Sequence, residues 1–238
     1  MISINRSFAG AILIALGLLL GGCGDNGPDQ RKAFIAFLQQ INQRAGPHFL
    51  NPKPEEEKAF GDYLRHYTVI TDFNKDLTAA ADVYDKKVRA TVGNDGQART
   101  IEQMISRRPA YPAIKDETAK FIQTIEDRVA KANAERAALK QPDDLKAVYD
   151  TTFNKLITAP ARAMVKSNKG LIEMTESSMR LVDYINDHRG KLTVSGTQVR
   201  TNDPRITTEV NALILAHQEV GKRFQETQRE GQRMMDAR

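Results

Sequence analysis

The sequence predicts a mainly all-α fold, an antiparallel helical bundle with one small β-hairpin near residues 191–200. Three observations carry that prediction. From residue 29 onward, apolar residues recur at the three-and-four spacing of helices with one buried face. Glycine and proline clusters interrupt the pattern, so successive helices are joined by short connections and turn back on one another. A single segment, KLTVSGTQVR, has strand character.

The elements follow in order. DQRKAFIAFLQQINQRAG opens at Asp29 and sets Phe34, Ile35, Phe37, Leu38 and Ile41 on one face until Gly46 and Pro47 stop it. After a loop, Pro54 and Glu55, Glu56 and Glu57 start a helix, the acids complementing its dipole. Phe60, Leu64, Tyr67, Ile70, Phe73, Leu77, Tyr84 and Val88 continue its apolar face, with Val83 at the edge, to Val92. Gly93-Asn94-Asp95-Gly96 ends it, and Thr100 to Arg107 forms a short helix. RRPAYPA reads as a rigid loop, because Pro109 and Pro112 disfavour helix in the residues before them. Pro112 opens the next helix, striped by Ile114, Phe121, Ile122, Ile125, Val129, Ala132 and Leu139.

QPDDLKAVYD is a break and restart, with Pro142, Asp143 and Asp144 at the new amino end. Leu145, Val148, Phe153, Leu156 and Ile157 carry the stripe on, and Pro160 should kink or split the helix. A further helix with Met164, Val165, Leu171, Ile172, Met179, Val182 and Ile185 runs to Asp187; Gly170 weakens it and Gly190 ends it. Leu192, Val194 and Val199 then flank Ser195-Gly196, a dipeptide suited to a tight turn. A lone hairpin is marginal in water, so this one must pack on helices or a partner. Asp203-Pro204 starts the last helix, with Ile206, Val210, Leu213, Ile214, Val220 and Phe224 on one face.

The amino-terminal residues form a separate unit. MISINRSFAGAILIALGLLLGGC has a positive start at Arg6, an uncharged apolar run from Ala9 to Leu20, and small residues Gly21 and Gly22. That is the layout of a secretory signal peptide, and the run falls short of the roughly 20 apolar residues a membrane span needs. Cys23 is the only cysteine of the chain. Leu20, Gly21, Gly22 and Cys23 resemble the lipobox of bacterial lipoproteins. The resemblance implies that residues 1–22 are removed and that Cys23 is diacylglycerated on sulfur and acylated, commonly with palmitate, on its new amino terminus. One thiol has no partner within its own chain, and lipidation disposes of it. Stable anchoring takes more than one acyl chain, each buried CH₂ contributing about 0.8 kcal/mol. Gly24, rather than an aspartate, follows Cys23. Under the lipoprotein sorting rule this points to the periplasmic face of the outer membrane. Residues 23–28 are then the lipidated cysteine and a short tether, and 29–238 a single helical domain.

Composition narrows the function. The formal charge is +5, and loss of residues 1–22 lowers it only by Arg6. Lys86, Lys87, Arg107 and Arg108 are local pairs rather than a basic stripe, so no nucleic-acid partner is expected. The chain has four histidines; one of them, His66, sits one helical turn from Asp62, and the two read as surface residues rather than metal ligands. His217 lies on an apolar stripe and reads as a satisfied core histidine. Tyr63 and Tyr67, beside Phe60, read as partly core. Structural zinc needs about four Cys or His ligands, which the spacing does not offer. VSGT is not a GxSxG nucleophile elbow, and no P-loop occurs. No catalytic residue, metal or cofactor is therefore assigned.

DQRKAFIAFLQ at 29–39, ALKQPDDLKAVYD at 138–150, TAPARA at 158–163 and DYI at 183–185 are similar to the YiaF-like bacterial lipoproteins, a family of unknown function. The resemblance implies a cell-envelope lipoprotein with a mainly helical body and carries over no catalytic residue. The resulting expectation is a non-enzymatic envelope binding module. It is held to the membrane through Cys23 and meets a protein partner through the hairpin or the Pro109–Pro112 loop. The alternative is a carrier of a lipid or other apolar ligand in an inter-helix cavity.

Overall fold

The computed structural model describes residues 27–93 and 98–236. The signal segment, Leu20, Gly21, Gly22 and Cys23 lie outside the described residues.

Helix α1 spans Gly27–Gln43, α2 Pro54–Phe60, α3 Leu64–Val92, α4 Ile101–Arg107 and α5 Tyr111–Ala138. Then come α6 (Asp143–Phe153), α7 (Ala159–Asp187), strands β1 (Leu192–Ser195) and β2 (Gln198–Thr201), and α8 (Pro204–Asp236). The predicted mainly helical fold with one hairpin is what forms. The tether loses its last two residues to α1, which begins at Gly27 rather than Asp29.

Four long helices stand in a row, α3, α5, α7 and α8, each antiparallel to the next. Ion pairs fix the registers. Asp76 and Glu117 join Arg128 and Lys87 across α3 and α5 at 2.9 and 2.8 Å. Lys115 meets Glu176 across α5 and α7 at 2.8 Å. Lys166 and Glu173 meet Glu230 and Arg223 across α7 and α8 at 2.6 and 3.7 Å. These pairs are substantially exposed and each contributes little energy, but together they report alignment.

The row is built on a rod. Helix α6, a π turn at Asn154–Thr158 and α7 hold 11, 5 and 29 residues without a gap. At about 1.5 Å per residue, the rod is on the order of 65 Å long. Pro160 was expected to kink or split this stretch. The π turn supplies the adjustment: the Ala159 N–H donates to the Asn154 carbonyl, five residues back. A widened turn relieves the clash of a proline ring with the preceding turn.

Two apolar clusters occupy the two ends of the rod. The larger gathers α1, α2, α3, α5, α6 and the π turn around Phe34, Leu38, Ile41, Ile70, Ile125, Leu145, Tyr149 and Phe153, all essentially free of solvent contact. The smaller joins α4, the end of α7, the hairpin and the start of α8 through Ile101, Leu181, Val182, Ile185, Leu192, Ile206 and Val210. Helix α1 lies beside α6, with Arg31 near Asp144 at its start and Lys155 donating to the Ile41 and Asn42 carbonyls at its end. Gly27 therefore sits at the end of the rod opposite the hairpin.

Three further boundaries differ from the sequence reading. The helix expected from Pro54 to Val92 breaks at Gly61, which takes φ +52°. A 3₁₀ turn at Gly61–Tyr63 follows, and a Cβ at Gly61 would collide with the Gln30 side chain. RRPAYPA is not a loop: Arg108–Ala110 is a 3₁₀ turn that runs straight into α5. Both prolines occupy first turns, where a missing N–H is no loss. Arg108 donates twice to Asp183, at 2.7 and 2.8 Å, and clamps that turn to α7. The hairpin loop is Gly196-Thr197, since Ser195 is already paired with Gln198. Gly196 takes φ +60°, the conformation a two-residue loop asks of its first position.

The buried Tyr149 hydroxyl donates to the His66 carbonyl at 2.7 Å and ties α6 to α3. Tyr149→Phe removes one buried hydrogen bond and should lower unfolding free energy by about 1 kcal/mol. Phe34→Ala removes a whole core side chain and should cost about 3–5 kcal/mol. Urea denaturation of the full chain followed by circular dichroism measures both. Equal losses would contradict this division of the core.

Candidate functional site

A closed four-helix bundle needs four seams. Here α3 packs on α5, α5 on α7 and α7 on α8, while α8 forms no packed seam with α3. Two cavities follow one another along that open side.

The first is a groove of about 830 Å³. Its floor is apolar: Phe73, Leu77 and Ala81 on α3, with Leu156, Pro160 and Met164 on the rod. Its outer wall is the last part of α8, where Gln225, Gln228, Arg229 and Gln232 stand beside Met234 and Met235.

The second is a pocket of about 410 Å³ between the two apolar clusters. Val88, Val92, Met104, Ile114, Leu171 and Met174 supply its apolar wall. Tyr111, Thr175, Ser178 and His217 bring polar atoms to it, and Asp85, Arg89 and Arg107 complete the lining. Thr175 and Ser178 donate back to the Leu171 and Met174 carbonyls at 2.8 and 2.9 Å. Their oxygens keep lone pairs free to accept. Arg89 donates to Asp85 at 2.7 Å, so that cation is neutralised in place. Both volumes fall in the range of roughly 300–1,000 Å³ typical of small-molecule sites.

Burial sets the electrostatics of the pocket. It raises the Tyr111 hydroxyl above its ordinary value, an effect Arg107, the Ser178 contact and Arg108 partly offset. It lowers His217, whose imidazole is thereby kept neutral. The interior thus offers uncharged hydroxyls and an uncharged ring, a surrounding for an apolar body with a polar end.

His217 differs from the sequence reading. It does lie on the apolar stripe, but its Nδ1 is shut from solvent with no hydrogen-bond partner among the described residues. It is not a satisfied core histidine. His66 is also not a surface residue. It is buried, ringed by Phe34, Tyr63 and Tyr149, with Nδ1 3.1 Å from Gln141 Nε2. Asp62 is exposed in the 3₁₀ turn, so the two residues do not face one site. Tyr67 is core, its hydroxyl donating to the Leu50 carbonyl, and Tyr63 is half-buried against Phe34. Among the described residues, no three His, Cys, Asp or Glu side chains are placed to hold a metal ion. No helix among them is long and apolar enough to cross a membrane.

The cavity-lining residues of α3 and α7 were visible in sequence as apolar stripes, but as core. The missing signal was the polar outer face of α8. Gln225, Gln228, Arg229 and Gln232 recur at helical spacing where a closing seam needs apolar side chains.

Comparison with known proteins adds a family and no activity. The family DUF3053, described as a protein of unknown function, matches residues 10–232. Proteins called "Uncharacterized protein YiaF" from Escherichia coli K12, Escherichia coli O157:H7 and Shigella flexneri are each 26% identical over 212 residues. The match covers 89% of this chain and 89% of each relative. No solved structure matches the chain.

The buried His66 and the half-buried His217 give a pH prediction. Burial lowers both His66 and His217 from the ordinary 6.5. A base whose folded value is depressed binds protons more readily when unfolded, so stability falls with pH below that point. Asp183 and Glu117 are lowered by their cationic partners, and their contribution is lost only in the more acidic carboxylate range. Unfolding free energy should therefore decline first between about pH 6.5 and 5. His217→Phe should flatten that part of the profile and, by removing an unpartnered buried atom, stabilise the protein at pH 5 by about 1 kcal/mol. Urea titrations across pH test this; an unchanged slope in the variant would refute it.

Proposed function

The chain belongs to the DUF3053 family of proteins of unknown function, and from that premise we propose that it is a non-enzymatic, lipid-anchored protein of the cell envelope that carries a lipid or other apolar ligand in its open seam. The observation that carries this reading is the unclosed side between α3 and α8, with an apolar groove and a mostly apolar pocket in line. Apolar surface left open to water in a groove is unfavourable, and an apolar guest that covers it removes that cost.

The anchor is the lipidated Cys23, and the body lies on the periplasmic face of the outer membrane. The layout of residues 1–23 supports this part. Helix α1 begins at Gly27, four residues after Cys23, so the proximal end of the rod sits near the headgroups. A fully extended residue spans at most about 3.6 Å, which leaves little play. Docking of a protein partner through a Pro109–Pro112 loop loses its motive, because that segment is wound into the start of α5.

Two measurements test the proposal. The native protein, extracted mildly from membranes and sprayed intact into a mass spectrometer, should retain a non-covalent apolar ligand beyond the acyl mass on Cys23. Ala81→Trp with Ala163→Trp fills the groove from α3 and α7. It should weaken retention by about tenfold, equivalent to about 1.4 kcal/mol. Retention unchanged by the double substitution would count against the seam as the site. Cys23→Ser should remove the acyl mass and the membrane fraction together; membrane association that survives it would count against the anchor.

A further inference from the structure

The cations of this chain are not evenly neutralised. Along the bundle, Lys87, Lys115, Lys120, Arg128, Lys146 and Lys166 all reach carboxylates at 2.6–2.9 Å. At the hairpin end three cations gather without such partners among the described residues. Arg189, Lys191 and Arg200 line one hollow of about 920 Å³, between the turn after α7 and the outer ends of the two strands. None of the three has a carboxylate within ion-pair distance among the described residues.

Their side chains are nevertheless positioned. Arg189 donates from Nε to Asn186 Oδ1 at 2.9 Å, and Arg200 donates from Nη2 to Gln198 Oε1 at 3.1 Å. An amide oxygen orients a guanidinium without cancelling its charge, and each fork keeps donors for an oxyanion. Asp203 is the one acid in the lining, and its Oδ1 accepts from the Arg205 and Ile206 N–H groups as the cap of α8. Arg205, next to the lining residue Pro204, adds a further cation without an ion pair.

We propose that this hollow docks the phosphates of an anionic phospholipid surface. Arginine forks match phosphate oxygens in geometry as well as charge. The hollow is broad and open, far larger than one phosphate, and its three cations are exposed. Exposed charges bind weakly one at a time, so useful affinity requires a surface presenting many phosphates together. Neither exposed strand face offers a large apolar side chain for insertion, so the contact is electrostatic. The hollow lies at the far end of a rod on the order of 65 Å long from Gly27. It therefore faces away from whatever the amino terminus is fixed to, and the surface it meets is a second one.

The test uses the full chain inserted by its amino terminus into phosphatidylcholine vesicles. These are mixed with dye-loaded vesicles of phosphatidylglycerol and phosphatidylcholine in equal parts, and capture of dye is read after flotation. Capture is expected at low salt, with none of pure phosphatidylcholine vesicles. Arg189→Gln with Lys191→Gln and Arg200→Gln should reduce capture by about tenfold. Lys120→Gln with Lys131→Gln and Lys146→Gln removes the same charge from paired positions and should leave capture intact. Equal loss in both triple variants would reduce the effect to net charge and overturn the site, as would no capture at all. Displacement of the vesicles by micromolar pyrophosphate would overturn the lipid assignment and reassign the hollow to a soluble phosphate.

Discussion

Everything above the level of single helices depends on the π turn at Asn154–Thr158. Pro160 has no N–H, and in a regular helix its ring would press on the carbonyl four residues back. Inserting one residue's worth of extra turn lets the chain pass the proline without breaking, so α6 and α7 stay one rod. The larger apolar cluster is built on one half of that rod and the smaller on the other. A break at residue 160 would leave two small cores with no fixed relation. The pocket between them would then have no defined shape.

The same rod explains why the bundle is open. Helix α8 is attached to it at close range: a Cβ on Gly170 would come within 3.0 Å of the Phe224 ring, and Gly221 faces Met174. Phe224 is buried there while Gln225 and Gln228 are exposed on the wall of the groove. The helix has one apolar stripe, and α7 takes it. With little apolar to offer α3 beyond Met234 and Met235, α8 stands off, and the groove is what remains between them. A helix that must pack on two neighbours needs a wider stripe than α8 has.

Most helices were legible in the sequence because their stripes are long and their ends carry proline, glycine or acids. What was not legible was tertiary. The Pro54–Val92 stretch keeps a helical period through Gly61, and only the backbone, at φ +52°, shows why glycine is needed there. Pro109 and Pro112 forbid helix in the preceding residues only on average. Arg108, fixed to Asp183, holds them in a tight turn at the head of α5. Gly170 looks like a weak point along α7 and is the seat of Phe224. His66 and His217 share an apolar surrounding and have opposite outcomes, one partnered by Gln141 and one without a partner among the described residues. Spacing along one helix cannot distinguish them, because the partner comes from another element.

A two-stranded hairpin is too small to stand alone, and the way it is fixed bears on its use as a tip. Its loop is held by the start of α4. The Ile101 N–H donates to the Gly196 carbonyl at 2.8 Å, and the Gly196 N–H donates to the Glu102 carboxylate. That carboxylate sits below its ordinary range because backbone N–H groups, its own and that of Gly196, bond to it. Thr100 and Gln103 close a reciprocal cap on the same turn, at 3.2 and 3.3 Å. Leu192 is buried in the smaller cluster, and the hydroxyl of its cross-strand partner Thr201 donates to the Lys191 carbonyl at 2.6 Å. Helix α4 has only 7 residues, too few to persist without tertiary contacts, so cap, hairpin and α4 support one another. The result is a braced frame at the end of the rod. The frame holds the backbone of Lys191 and Arg200 in place, and the charges it presents keep their spacing when a surface approaches.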